Sequence, residues 1–458
     1  MSLTFSEQYN FVPRFYRLAF VNIVSNMMIP LSGLISLAFL GHLTQIDALA
    51  GVAVANILFN LVYLTLEFLR MATTGLTAQA VGADDQEAVL LVGLRNGLIA
   101  LVLGILLLIV QYPLREISFS LLSGDFDVKL AGAEYYNARI WGSPAVLLNF
   151  VLLGWLLGRE QSSQVLILSI IGNAANVILD YVFIIQFGWN SMGAGASQAT
   201  SQYLMLFIGL IFASQKFNWQ EIQEAIAKVL YLSALKETLL LNRDIFIRTL
   251  TELTVYTFFS NLSATMGTII FTQNSLITQI STMSVYLTNG LGFATETLSG
   301  NYKGQESKDK FIPLLRVSVT SSLIVGLSVS AICTLFPRTV FGILTNHTEI
   351  TDTINTYSWW LFFVLAFASV SSMLEGYFLG LAEGEVVRNV SLISAGLEFL
   401  PCVMAVWYFH NNHIVWLSLS LFLFFKTVVL LVYLPKSLQK SMSTQVEVEP
   451  VSLTAIEN

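Results

Sequence analysis

Charge is what this sequence has least of. Asp, Glu, Lys and Arg together make up 11% of 458 residues, against about 25% in ordinary soluble domains. So few charges cannot coat a water-exposed surface. This excludes a soluble enzyme, a disordered chain and a nucleic-acid-binding module. Cysteine is nearly missing: Cys333 and Cys402 fall in separate apolar stretches and form neither a disulfide framework nor a CxxC metal pair. The four histidines, His42, His347, His410 and His413, all fall near the ends of apolar stretches. They supply neither a His-rich metal site nor a nucleophile–base pair at membrane depth, so no catalysis, resident metal or organic cofactor is expected. A basic region before the first apolar run is also lacking, and that run is read as a mature span rather than a cleaved leader.

What is abundant is apolar. Such residues make up 55% of the chain, 32 of them Phe, and the mean hydropathy is +0.71. The apolar stretches are long rather than short and alternating, which points to helices rather than a membrane β-barrel. A helical span needs roughly 20 apolar residues. Twelve windows qualify: about 15–40, 48–79, 88–111, 128–157, 162–186, 194–215, 244–271, 275–302, 311–335, 354–381, 386–409 and 414–434. The expected fold is an all-α polytopic membrane protein with the lipid bilayer as its surroundings. Residues 1–217 form an N-lobe of six spans, 218–243 a linker with an interfacial helix, 244–435 a C-lobe of six spans, and 436–458 a disordered tail. With the N-terminus inside, 17 of 22 Lys and Arg fall in inner loops or adjoining span ends. Arg115, Lys129, Arg139 and Arg338 fall on the outer side, and Lys426 lies within the last span. That bias sets both termini in the cytoplasm of a multi-pass protein of the inner (plasma) membrane. The chain is expected to act as a monomer.

The two halves repeat. Ala72-Thr-Thr-Gly-Leu-Thr matches Ala294-Thr-Glu-Thr-Leu-Ser at an offset of 294 − 72 = 222. Gly154-Trp-Leu-Leu-Gly158 matches Gly376-Tyr-Phe-Leu-Gly380 at the same offset, 376 − 154 = 222. Six spans per half make the repeats parallel, an architecture of transporters that rock one half against the other.

Longer motifs point to a family. Pro30-Leu-Ser-Gly-Leu-Ile-Ser-Leu-Ala-Phe-Leu-Gly-His-Leu43 resembles the first-span signature of multidrug and toxic compound extrusion (MATE) transporters. Phe68-Leu-Arg-Met-Ala-Thr-Thr-Gly-Leu-Thr-Ala-Gln79 resembles the second span of their DNA-damage-inducible-F branch. Asn176-Val-Ile-Leu-Asp180, Asn242-Arg-Asp-Ile-Phe-Ile-Arg248 and Val387-Arg-Asn389 fit the same branch. The resemblance covers about residues 10–435. It implies twelve helices in two pseudo-symmetric six-helix bundles around a central cavity, and cation-coupled export of organic compounds. Two positions depart from the pattern: Ser36 replaces the acid usual in the first span, and Asn289 replaces the Asp usual before the glycine of the eighth.

Six acids fall inside spans: Glu67, Asp180, Glu252, Glu296, Glu375 and Glu398. A charge at the bilayer centre costs about 2.5–3.5 kcal/mol on insertion scales. Each acid must therefore face a cavity, pair with a cation or hold a proton. Helix direction and depth bring Ser36, Asn176, Asp180 and Thr200 together in the outer half of the first lobe. A carboxylate with amide and hydroxyl oxygens suits a proton or Na⁺ as coupling ion, and the family resemblance independently carries a cation site onto Asn176, Asp180 and Thr200. Glu67, Glu252, Glu296 and Glu375 fall nearer the inner ends, Glu398 near mid-depth. With Asn289 they are candidates to line a substrate cavity that attracts cationic or zwitterionic compounds. Local pairing of Glu67 with Arg70 and of Glu252 with Arg248 competes with that role. The expected function is a secondary antiporter, a specialised natural-product or toxin exporter being one form of it. The competing reading is a lipid-linked or polysaccharide flippase, which needs a basic cavity for its headgroup.

Overall fold

The computed structural model describes residues 8–41, 46–121, 125–215, 217–345 and 347–443. Among them there is no strand. Twelve long helices cross the molecule in alternating directions. In the first half they are α1 (Val12–Gly41), α2 (Asp47–Gly82), α3 (Gln86–Ile109), α4 (Phe126–Gly158), α5 (Ser162–Gln186) and α6 (Asn190–Ser214). The second half begins with α7 (Leu232–Thr265) and α8 (Thr268–Gly304). It continues with α9 (Lys308–Leu335), α10 (Trp360–Gly380) and α11 (Gly384–Phe409), and ends with α12 (Asn412–Ser443). Ten of the twelve are apolar enough to cross a membrane on hydropathy alone. The others, α7 and α8, run to 34 and 37 residues. Buried polar groups lie along both, among them Asn242, Asp244, Gln273, Asn274, Glu296 and Asn301.

Two helix boundaries differ from the sequence expectation. Helix α7 starts at Leu232, twelve residues before 244, so only Trp219–Val229 forms the separate linker helix. Its Asn218 and Glu221 close a capping box, which satisfies amide groups that the first turn leaves without partners. Arg95 on α3 donates to the carbonyls of Lys228 and Val229 at the other end, and Lys228 pairs with Glu87 at 2.5 Å. The second correction is at the chain end: α12 runs on to Ser443, so residues 436–443 are helix and not a disordered tail.

We call the end that holds Val12 the base and the opposite end the mouth. The repeat is visible in the backbone. Three pairs of residues with left-handed φ lie 222 apart: Asp84 (56°) and Glu306 (55°), Glu160 (58°) and Ala382 (56°), Gly188 (69°) and His410 (49°). Helix packing repeats too. A Cβ at Gly154 would strike the Arg70 carbonyl oxygen, and one at Gly376 would strike that of Gly292. Both partners are again 222 apart, so α4 on α2 and α10 on α8 are the same contact made twice. Backbone approach this close requires a residue without a side chain.

The lobes meet along their basal halves. Helix α8 lies against α1 and against Phe68–Gly82 of α2. The contact is reciprocal: a Cβ at Gly82 would strike the Asn301 carbonyl, and one at Gly304 that of Gln79. Around it, Gln79 donates to the Gly380 carbonyl at 2.7 Å and Arg14 bridges Glu160 to Asn301. The outer surface is apolar, with Ile57, Phe207, Ile324 and Trp407 all more than half exposed, as a lipid-facing surface must be.

Candidate functional site

The Asp180 carboxyl is fully buried at the point where α5 widens from α-helix into a π-helical turn, Tyr181–Gln186. Such widened turns recur at functional sites. Ser36 on α1 donates to one carboxylate oxygen and Ser197 on α6 to the other. Asn176, one turn back on α5, donates to the Ser197 hydroxyl at 3.3 Å and accepts from Gln198 at 3.0 Å. No Lys or Arg lies within 4 Å of Asp180 among the described residues. The site is thus one carboxylate held by neutral hydroxyl and amide groups from three helices.

Three of the four expected residues meet here, with Ser36 in the place of the missing acid as a donor to Asp180. Thr200 does not join them. It is exposed, and Ser197 takes the role expected of it. Ser197 and Thr200 are three residues apart, which leaves them about 60° apart around a helix. Ser197 and Gln198 are the site residues that the sequence reading missed.

The glutamates form a different structure. Arg248 on α7 makes two bonds to Glu375 on α10, at 3.1 and 2.6 Å, and lies 3.0 Å from Glu252. Lys426 on α12 bonds Glu252 and sits 2.8 Å from Glu375. Two carboxylates and two cations close a neutral network inside the C-lobe, with Glu375 and Lys426 each only 4% exposed. This corrects the expectation that Glu375 lines the cavity as a free acid, while Glu252 makes the local pairing with Arg248 that competed with a cavity role. The reason is tertiary: the partners of Glu375 come from other helices, so its own helix gives no sign of them.

Glu296 is buried on α8 where the lobes meet, near Arg70 of one lobe and Arg248 of the other. Its Oε1 atom has no hydrogen-bond partner. Glu67 lies 3.6 Å from Arg70, at a break between the two segments of α2. Arg70 is itself buried. It donates to Asn22 and Asn26 of α1 at 3.1 Å each and packs 4.0 Å over the Phe293 ring. Asn289 is half-buried on α8 beside Gly290, which meets Ala19 and Ile23 of α1. The backbone of Glu398 is helical, but its side chain lies outside the described residues.

Comparison with known proteins places this architecture. The MatE family model matches residues 22–182 and again 245–404, one match per lobe. The chain belongs to the MatE family. Among MatE relatives, it is 30% identical over 408 residues to the DNA damage-inducible protein F of Escherichia coli K12, covering 89% of this chain and 88% of that one. It is 24% identical over 428 residues to the probable multidrug resistance protein NorM of Thermotoga maritima, covering 91% and 90%. In fold it is similar to the outward-facing conformation of a multidrug resistance MATE family transporter, with a TM-score of 0.83 at 17% identity over 94% of this chain and 96% of that one. A MATE crystal structure in the straight conformation gives 0.81 at 18% identity, again over 94% and 96%. The two-lobe expectation therefore holds, and the MatE fold explains why equivalent glycine contacts recur in both halves.

Proposed function

We infer that this MatE transporter is a secondary active exporter. It moves a small organic compound, cationic or zwitterionic, outward as a proton or Na⁺ moves inward, and Asp180 is the coupling group. In this reading the base faces the cytoplasm, the mouth faces outward, and the protein works as a monomer in the inner membrane. Basic residues at the base loops, among them Arg14, Arg17, Arg159, Lys228, Lys303 and Lys308, support that orientation.

The observation that carries the reading is the neutral setting of Asp180. The four acids with described side chains nearer the base all lie close to Arg70, Arg248 or Lys426. Among the described residues, Asp180 instead has only Ser36 and Ser197 as side-chain hydrogen-bonding partners. A carboxylate so placed can be neutralised by an arriving proton, or by Na⁺ held with the Asn176 carbonyl and the two serine oxygens. It changes charge when the ion leaves. Because its ligands sit on α1, α5 and α6, gaining or losing an ion alters how three helices of one lobe are tied together. An ion that binds one arrangement more tightly shifts the balance between them, and that difference is what coupling requires.

The test is uptake of cationic and zwitterionic compounds into inside-out vesicles, driven in turn by a pH gradient and a Na⁺ gradient. The gradient that drives uptake identifies the ion. The Asp180→Asn variant keeps the shape, with one serine still donating to the amide oxygen and the other able to accept from the amide NH2, but loses the titrating group. Its gradient-driven uptake should fall to the level of empty vesicles while compound binding stays within about twofold. Undiminished driven uptake by a folded Asp180→Asn protein overturns the assignment.

A further inference from the structure

Arg139 lies inside the N-lobe, where α4 narrows into the tight turn Ile140–Gly142. The charge count of the sequence assigns this residue to the outer side, although the window 128–157 contains it; the fold keeps it within that span. Its guanidinium is set in aromatic rings, 4.5 Å from Phe59, 5.6 Å from Tyr63 and 5.5 Å from Tyr135. One nitrogen, Nη1, donates to the Asn56 carbonyl and to the Tyr135 hydroxyl, the latter at 2.6 Å. Nε and Nη2 make no hydrogen bond among the described residues, and neither is sealed from open space. No carboxylate lies within 4 Å.

This is unlike the other cations deep in the spans. Arg70 has Glu67 beside it, while Arg248 and Lys426 share Glu252 and Glu375. An arginine at membrane depth that lacks an internal counter-ion stays charged and presents two free donors in a planar fork, the geometry that binds a carboxylate or phosphate through paired bonds. The Tyr135 hydroxyl lies within electrostatic reach of both Arg139 and Asp180. Arg139 and Asp180 therefore each stand in the N-lobe without an ion-pair partner among the described residues, and the Tyr135 phenol interacts with both.

We propose that Arg139 is an anion subsite in the N-lobe, and that the exported compound carries a carboxylate or phosphate that binds Nε and Nη2 while its apolar or aromatic body packs on Phe59 and Tyr63. This rests on the export reading above and narrows its substrate class from cationic or zwitterionic to zwitterionic or amphoteric. It also gives Asn56 a role: by accepting from Nη1 alone, it holds the fork without filling it.

The test uses a rhodamine free acid and its ethyl ester, which share the same cationic ring system and differ only in the carboxylate. Binding to the full-length protein is read by fluorescence polarisation, which needs no gradient. Wild type should bind the acid more tightly than the ester. Arg139→Gln should weaken the acid about tenfold or more, the worth of a charge-assisted hydrogen bond, and change the ester less than twofold; Arg139→Lys should recover part of the loss. Asn56→Asp keeps the arginine but supplies an internal carboxylate, and should weaken the acid alone. Equal loss of both dyes, no loss of either in a folded variant, or a wild type indifferent to the carboxylate overturns the subsite. Gradient-driven uptake of the acid is scored separately: its absence in wild type would overturn the export reading and leave the binding result standing.

Discussion

Removing the Lys426 ammonium leaves two buried carboxylates with one arginine between them. In the intact network, Arg248 holds Glu375 through two bonds and Lys426 neutralises Glu252. Lys426→Met keeps the stem of the side chain but deletes the charge, so Glu252 keeps only its 3.0 Å contact to an arginine already shared. Stranding one member of a buried ion pair costs about 3–5 kcal/mol, a large part of a total stability on the order of 5–15 kcal/mol. A second substitution, Glu252→Gln, restores one acid to one base. The double variant should return to within about 1 kcal/mol of wild type, with a coupling energy of about 2–3 kcal/mol across the cycle. Thermal unfolding in detergent, with bound dye as a check on the native fold, measures all four corners. The reasoning fails if Lys426→Met melts like wild type, or if adding Glu252→Gln makes it worse.

The Asp180 site predicts that Ser197→Ala shifts the ion dependence of transport by about tenfold, since it removes one hydrogen bond to the carboxyl, whereas Thr200→Val leaves it unchanged; an ion titration of driven uptake for both variants decides. At the base, Gly82→Val forces a side chain against the Asn301 carbonyl, a clash worth about 1–3 kcal/mol. Spin labels at the exposed Asp84 and Glu306 should then report a longer separation, and an unchanged distance distribution would show that the lobes do not close there.

Much of the architecture was readable from residue order, because lipid enforces simple rules. Span length and the twin motifs at Gly154 and Gly376 both describe backbone that must satisfy itself in an apolar medium. Asp180, Asn176 and Ser36 were readable for the same reason, since depth along a helix follows from counting. What escaped were contacts between distant helices. The partners of Glu375 are Arg248, three helices earlier, and Lys426, 51 residues further on and two helices away. Arg139 lies inside the span read at 128–157 and yet was counted with the outer-side charges, because counting basic residues does not resolve depth within a 33-residue helix. The exchange of Thr200 for Ser197 is an error of helical phase, which hydropathy cannot fix when both neighbours are small and polar.

The reciprocal crossing of Gly82 and Gly304 has a consequence for how the halves evolve. It is a fulcrum made of bare main chain, equally owned by both sides, with few side chains that must repack as the arms swing. An ancestor with two identical halves would have placed the same ionisable groups in each. Here one arm keeps a solitary acid and the other has silenced its own with internal cations. A shared pivot lets that division of labour arise, because either arm can change its chemistry without disturbing the joint on which both turn.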